Sequence, residues 1–224
     1  MKSQLTALLA IIASASLITA CGSDTSRVQS PTSPAAAPAA PVTLPTADQL
    51  EQTEMNEMVT EQNQYRDLVG QTPLTQGLMC NLWSVAVGTP SIARANFNDF
   101  RASFNMHGVF DQDSLNTSAG LNIIPAGIRT QYLNWYILKC SGMLIVTSPG
   151  YYKFDLASDD GSILTIDSGL INNDGIHATI TMSGTRLLQK GFHYFELDYM
   201  QGSGSRQLQL YSGGSPVPAA HFFH

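Results

Sequence analysis

The stretch GYYKFDLASDDGSILTID, residues 150–167, decides how the rest of the chain is read. Tyr152, Phe154 and Leu156 alternate with Lys153, Asp155 and Ala157, the period of two of a half-buried β-strand. Between this run and the next strand-like run stand Asp159 and Asp160, side by side. Adjacent carboxylates repel each other, and strands disfavour Asp. Successive side chains of an extended strand point to opposite faces, so two such residues cannot grip one ion from within it. Asp160-Gly161 by itself is also a turn former, and the simplest reading is that it bends the chain.

The same alternation extends outward. Phe195, Leu197 and Tyr199 alternate with Glu196 and Asp198, and Leu208 and Leu210 alternate with Gln207 and Gln209. Ser148-Pro149-Gly150, Ser168-Gly169, Asn173-Asp174-Gly175, Ser183-Gly184, Lys190-Gly191 and Gly202-Ser203-Gly204 punctuate the runs as turns. Short strands with frequent turns over residues 75–213 predict an all-β domain, an antiparallel β-sandwich or small barrel with one core. Residues 214–224 follow Pro216 and Pro218 and are expected as a loosely docked tail. Asp111 to Asn116, DQDSLN, starts like a calcium-binding helix–loop motif but lacks its Gly and final Glu, so it is read as a loop.

Ahead of the sandwich the chain changes character three times. Residues 1–20 combine Lys2 with an uncharged apolar run and predict a signal peptide. The run ends in Leu17-Ile18-Thr19-Ala20-Cys21, which resembles a bacterial lipobox and predicts lipidation at Cys21. By the same resemblance Gly22 favours the outer membrane, with the protein anchored by lipid rather than spanning the bilayer. Residues 21–45 are rich in Ser, Thr, Pro and Ala, cannot bury enough surface to fold, and predict an extended tether. Residues 46–70 predict one acidic amphipathic helix, with a Thr46/Gln49 capping box at its start and Gly70 at its end. Its apolar stripe comprises Met55, Met58, Val59, Gln62, Tyr65, Leu68 and Val69, expected to pack on the following domain or to dock a partner.

With Cys21 lipidated, Cys80 and Cys140 remain as an even pair in an oxidising compartment, and a disulfide between them is expected; two buried free thiols are the alternative. Removing residues 1–20 leaves ten Lys+Arg against 17 Asp+Glu, a formal charge of −7. No basic patch stands out, which argues against a nucleic-acid partner. Enzyme chemistry finds no support: there is no Gly-x-Ser-x-Gly elbow, no His-Glu-x-x-His and no phosphate-cradling loop. The five histidines, His107, His177, His193, His221 and His224, are scattered. His193 falls on the apolar face of its strand, and His177 follows a turn and is expected to brace a loop. Asn172, Asn173 and Asp174 are read as a hairpin turn, with a second ligand cluster as the rival.

Residues 149–212 resemble the PA14 domain family. The shared pattern is Gly150–Phe154, Ser158–Ser162, Asp167–Gly175 with His177, Leu188–His193, Tyr199 and Gly202–Gly204, in that order. The likeness is weaker over 75–148, where Trp135 to Cys140 stands in place of a Trp-x-Gly strand. The resemblance implies a β-sandwich used for carbohydrate binding or for protein interaction. In sugar-binding members the Asp–Asp pair is joined by a cis peptide bond and holds Ca²⁺, which in turn holds sugar hydroxyls. Carried onto this chain, it implies a metal set of Asp159, Asp160, Gln201, Gly202 and Ser203, with Asp159, Asp160, Ser203 and Ser205 towards the sugar. Tyr199 and Tyr211 are candidates for an aromatic rim. The function expected is Ca²⁺-dependent recognition of a glycan or cell-wall polysaccharide by a membrane-anchored lipoprotein. The alternative is a non-enzymatic structural lipoprotein that docks an envelope protein without sugar.

Overall fold

The computed structural model describes residues 45–108, 110–114, 123–129 and 131–224. The expected signal peptide, Cys21 and nearly all of the tether lie outside the described residues. Helix α1 (Ala47–Leu68) comes first. The strands follow as β1 (Leu78–Ser84), β2 (Phe100–Met106), β3 (Asp111–Ser114), β4 (Tyr136–Val146), β5 (Gly150–Asp159) and β6 (Ser162–Ile166). After them come β7 (Gly169–Asn173), β8 (Ile180–Leu188), β9 (Gly191–Gln201), β10 (Arg206–Ser212), β11 (Ser215–Pro216) and β12 (Phe222–Phe223). A one-turn helix α2 (Ala126–Arg129) precedes β4. No helix among the described residues is long and apolar enough to cross a membrane.

The strands make two facing antiparallel sheets, as the alternation predicts. One has seven strands in the order β2-β1-β4-β9-β6-β7, with β12 added on β4. The other has five, in the order β11-β10-β5-β8, with β3 added on β10. Inward residues of both sheets, among them Leu82, Leu138, Phe154, Leu156, Leu164, Leu197, Tyr199, Leu208 and Leu210, form the shared core. Cys80 and Cys140 are directly opposed on β1 and β4, fully buried, and joined by a disulfide. Closing a loop with a sequence separation of 60 restricts the unfolded chain.

The connections explain where the aspartates sit. β5 belongs to the five-stranded sheet and β6 to the seven-stranded one, so the chain changes sheet at Asp159–Gly161. The β7–β8 and β9–β10 connections change sheet at the same end of the sandwich. Three crossovers therefore meet there. The acidic pair is a corner between sheets, which removes the conflict between Asp and strand geometry.

Two segments differ from expectation, one at the opposite end of the sandwich and one beside the crossovers. Residues 214–224 are built in rather than loosely docked: Phe222 is fully buried, pairs with Leu144 of β4, and meets Phe195 and Phe110 at ring-centroid distances of 4.9 and 5.9 Å. His224 and Thr75 exchange two backbone hydrogen bonds of 2.8 Å, tying the two segments together. The prolines could not reveal this, because the partners, Leu144 and Thr75 among them, lie far away along the chain. Asp111 to Ser114, expected as loop, form edge strand β3. Backbone pairing with the edge of β10 makes the strand. Asn116 lies outside the described residues.

Helix α1 has the expected capping box, Thr46 N–H donating to Gln49 Oε1 at 2.9 Å and Gln49 N–H donating to Thr46 Oγ1 at 3.2 Å. Its apolar stripe is only partly used. Met55 is buried, Met58 and Val59 are half-buried, and Tyr65, Leu68 and Val69 project into solvent. Thr147 donates to Glu51 and Lys190 pairs with Glu54, so charged groups of the outer face also help dock the helix.

Candidate functional site

Asp159 and Asp160 are joined by a cis peptide bond. Asp160 is buried, with 3% of its surface exposed, and Asp159 is half-buried. Both oxygens of Asp160 are fixed by backbone donors. His177 N–H donates to Oδ1 at 3.2 Å and Gly202 N–H donates to Oδ2 at 2.7 Å. These two donors come from the β7–β8 and β9–β10 crossovers, so one carboxylate ties all three corners together. The Tyr199 hydroxyl donates to the Asp159 carbonyl oxygen at 2.6 Å and fastens the corner from the core side.

The corner also requires glycine. A Cβ on Gly161 would come within 2.7 Å of both the N and the O of Gly175, so Gly161 admits the β7–β8 loop. A Cβ on Gly202 would sit 3.0 Å from Asp160 Oδ2 and 3.0 Å from Ile176 Cδ1. The Gly202 N–H reaches the carboxylate because nothing stands in that space.

Beneath the pair lies a layer of buried polar side chains. Ser158 Oγ and Ser162 Oγ are 2.7 Å apart, and Asn173 Nδ2 donates to Ser158 Oγ at 2.9 Å and to the Ile180 carbonyl at 3.0 Å. Arg206 is fully buried and donates through Nη2 to the Leu133 carbonyl at 2.6 Å. Polar groups inside a sandwich are tolerable only when so partnered. Burial is the main cause that raises the carboxyl pKa of Asp160, opposed by the Gly202 and His177 N–H groups. Burial, and then the charge of Asp160, raise that of Asp159, with His177 and the Thr179 N–H opposing. In both, loss of water around the charge is the leading cause.

The residues expected around the pair divide into three groups. Gly202 stands against Asp160, and the exposed Ser203 and Ser205 belong to the same crossover. Gln201 is fully buried and committed at both ends: its Oε1 accepts the Tyr199 hydroxyl, and its Nε2 donates to the Ser205 carbonyl at 2.9 Å. It holds the loop in shape. The Gly202 carbonyl accepts the Trp135 N–H at 2.9 Å. The aromatic rim is absent at both proposed positions: Tyr199 is buried in the core, and Tyr211 lies towards the far end of β10, opposite Asp155 and Pro216.

Other candidates find structural employment. Asp174 accepts the Ile92 and Ala93 N–H groups at 2.7 and 3.1 Å, pinning the 85–99 segment over the outer face of the seven-stranded sheet. The His177 ring nitrogens lie 2.9 Å from the Asn173 and Ala178 carbonyls, so this residue does brace its loop. His193 shares a strand face with Phe195 and Leu197, but its Nδ1 lies 2.7 Å from Asp167 Oδ2. His221 lies on a short helical turn, its Nδ1 3.2 Å from the Ile145 carbonyl. The part of the site that sequence reasoning missed is the 176–179 wall. Asn-Asp-Gly followed by His signals a turn, but nothing local shows that its backbone N–H groups face Asp159 and Asp160.

Comparison with known proteins agrees with this architecture. The PA14 domain family matches residues 92–218, and the chain belongs to that family. Among solved structures, the PA14 domain of MpAFP antifreeze protein superposes with a TM-score of 0.54 at 15% identity, covering 67% of this chain and 91% of that one. A PA14 sugar-binding domain from an RTX adhesin gives 0.52 at 21% identity, covering 67% of this chain and 99% of that one. An anti-sigma factor domain-containing protein from Clostridium clariflavum gives 0.52 at 15% identity, over 67% and 47%. At these identities the likeness is one of fold. No curated protein matches the chain.

Proposed function

We propose that this chain is a Ca²⁺-dependent carbohydrate-recognition module, held on a bacterial envelope membrane by lipid at Cys21. The observation that carries the reading is the convergence of three crossovers on Asp159–Asp160. A buried carboxylate with one backbone N–H on each oxygen, next to a second, half-buried one, is a costly arrangement to maintain without a cation. The donor set fits Ca²⁺: it is all oxygen, it is anionic, and each Asp160 oxygen keeps a lone-pair direction beyond its hydrogen bond. Asp159 and Asp160 would hold the ion, with the 201–205 crossover, through Ser203, beside them. Bound there, Ca²⁺ supplies open coordination positions for vicinal sugar hydroxyls. Gln201, Tyr199 and Gly202 keep the loop and the corner in register, and Ser203 and Ser205 face outward for hydrogen bonds to the sugar. Sugar binding by the structurally similar RTX adhesin domain supports the reading.

The test is thermal unfolding with Ca²⁺ and with EGTA, followed by a glycan array. A Tm that rises with Ca²⁺ and glycan signals that vanish with EGTA are expected. A Tm indifferent to both reagents overturns the reading. Lipid anchoring is tested by Cys21→Ser, which is expected to release the protein from membranes.

A second reading rests on α1. Its C-terminal end exposes Tyr65, Leu68 and Val69, with Leu68 at 84% exposure, beside Glu61 and Asp67. Such an end suits an envelope protein partner. Retention of a partner by the chain, lost in Leu68→Asp with the Ca²⁺ response intact, would support it.

A further inference from the structure

Ile176 occupies an unusual place for an apolar side chain. It is 49% exposed, yet its Cδ1 and Asp160 Oδ2 both lie 3.0 Å from the same point, the vacant Cβ position of Gly202. Single exposed apolar residues are common on protein surfaces. One placed across the vacant Cβ position of Gly202 from a buried carboxylate is different, because an apolar group there narrows the approach of water to an anion. Its position is also rigidly set. The next residue, His177, donates its N–H to Asp160, and its ring nitrogens lie 2.9 Å from the carbonyls of Asn173 and Ala178. The Thr179 N–H reaches Asp159. Residues 176–179 thus form a wall of the site in which Ile176 is the one large apolar side chain. Neither tyrosine proposed for the rim can serve, Tyr199 being buried and Tyr211 lying towards the other end of its strand.

We infer that Ile176 is the apolar specificity contact of this site, taking the C–H edge of a pyranose ring whose vicinal hydroxyls face Asp159 and Asp160. This rests on the sugar-recognition reading above. The ligand class is a pyranoside that presents a hydroxyl pair and a hydroxyl-poor edge on one side. Hydroxyls projecting towards Ile176 would lose water without gaining a partner, so the side chain selects by exclusion as well as by contact.

The test uses the full chain and calorimetry in two stages, first with Ca²⁺ alone, then with methyl glycosides of glucose, galactose, mannose and fucose in saturating Ca²⁺. Ile176→Ser is expected to keep the Ca²⁺ affinity of the wild type, which also reports a folded site. Against the best-bound glycoside it is expected to lose affinity about fivefold, the scale of a few tens of Å² of apolar contact, and to flatten the preference among glycosides. Ile176→Leu is expected to retain both. Wild-type glycoside affinities in Ile176→Ser overturn the inference and leave the sugar reading standing. Loss of Ca²⁺ binding in Ile176→Ser assigns the residue to the metal cradle and overturns the inference. Absence of any Ca²⁺-linked glycoside binding by the wild type overturns the underlying reading, and the inference with it.

Discussion

The two ends of the sandwich are held by opposite means. At the far end, β12, the 214–218 segment and α1 close the core with apolar and aromatic groups: Phe222, Phe195, Phe110, Val217 and Met55. At the crossover end the buried groups include a polar layer of Ser158, Asp160, Ser162, Asn173, Gln201 and Arg206 beside Tyr136 and Tyr199. Strand β5 runs between them, from Phe154 in the core to Asp159 at the corner. Apolar burial is non-directional and contributes stability in proportion to area. A buried polar layer contributes little net stability but fixes geometry, since each group is costly if left unpaired. The contrast separates an end closed by apolar burial from an end held by a partnered polar network.

Substitutions at each end can break this contrast. Phe222→Ala is expected to cost about 3–5 kcal/mol, the range for a large buried aromatic. Urea unfolding measures it, and the rise in Tm on adding Ca²⁺ is expected to survive. A cost below about 1 kcal/mol would return residues 214–224 to the status of a loose tail.

Cys80 and Cys140 serve as a control between the ends. Replacing both by Ala is expected to cost about 3–4 kcal/mol, from the regained freedom of the unfolded chain, with no change in the Ca²⁺ response. Reduced and oxidised wild type compared by urea unfolding give the same quantity.

Asp160→Asn tests the polar end. The amide accepts one backbone N–H but opposes the other, leaving a buried donor unpaired at about 1–3 kcal/mol. The expected signature is a modest loss in urea midpoint joined to complete loss of the Ca²⁺-induced rise in Tm. A retained Ca²⁺ response would show that the two ends do not differ in function.

The smallest effect lies midway along β5. The carboxyl of Asp155 is held below its ordinary value of 3.8, chiefly by hydrogen bonding to Lys153 and Ser183. A lowered carboxyl pKa means the unfolded chain takes up protons first. Its contribution is therefore complete above about pH 3.8 and lost as pH falls through the lower folded value. Asp155→Asn is expected to remove that part of the acid dependence of the urea midpoint and to leave Ca²⁺ binding unchanged.

How much could be read beforehand follows from the same contrast. Strands β5, β9 and β10 were legible because alternation is a local pattern and their inward residues are strongly apolar. The capping box was legible because Thr46 and Gln49 are three residues apart. Two segments were misread because their structure depends on distant partners: Phe222, at the far end, has no local signal for burial, and Asp111–Ser114, near the crossovers, form a strand only because β10 offers an unpaired edge. In α1 the apolar stripe is real, but Tyr65, Leu68 and Val69 run past the surface that Met55 docks on. At the site, the Asp pair and the Gly-rich loop stood out by composition. The 176–179 wall did not, because it contributes backbone N–H groups, which every residue possesses.

The sequence by itself determined that the chain is built from short alternating strands and that Asp159–Asp160 falls at a break between strands. Periodicity, composition and local turn chemistry suffice for these, since each is a property of neighbours along the chain. Only the tertiary structure decided that the break is a change of sheet, that three such changes converge, and that Ile176 and His177 stand against the carboxylates. Those facts depend on which strands pair and in what register. Such pairing is set by burying two apolar faces against each other over the whole domain, and no short segment carries it alone.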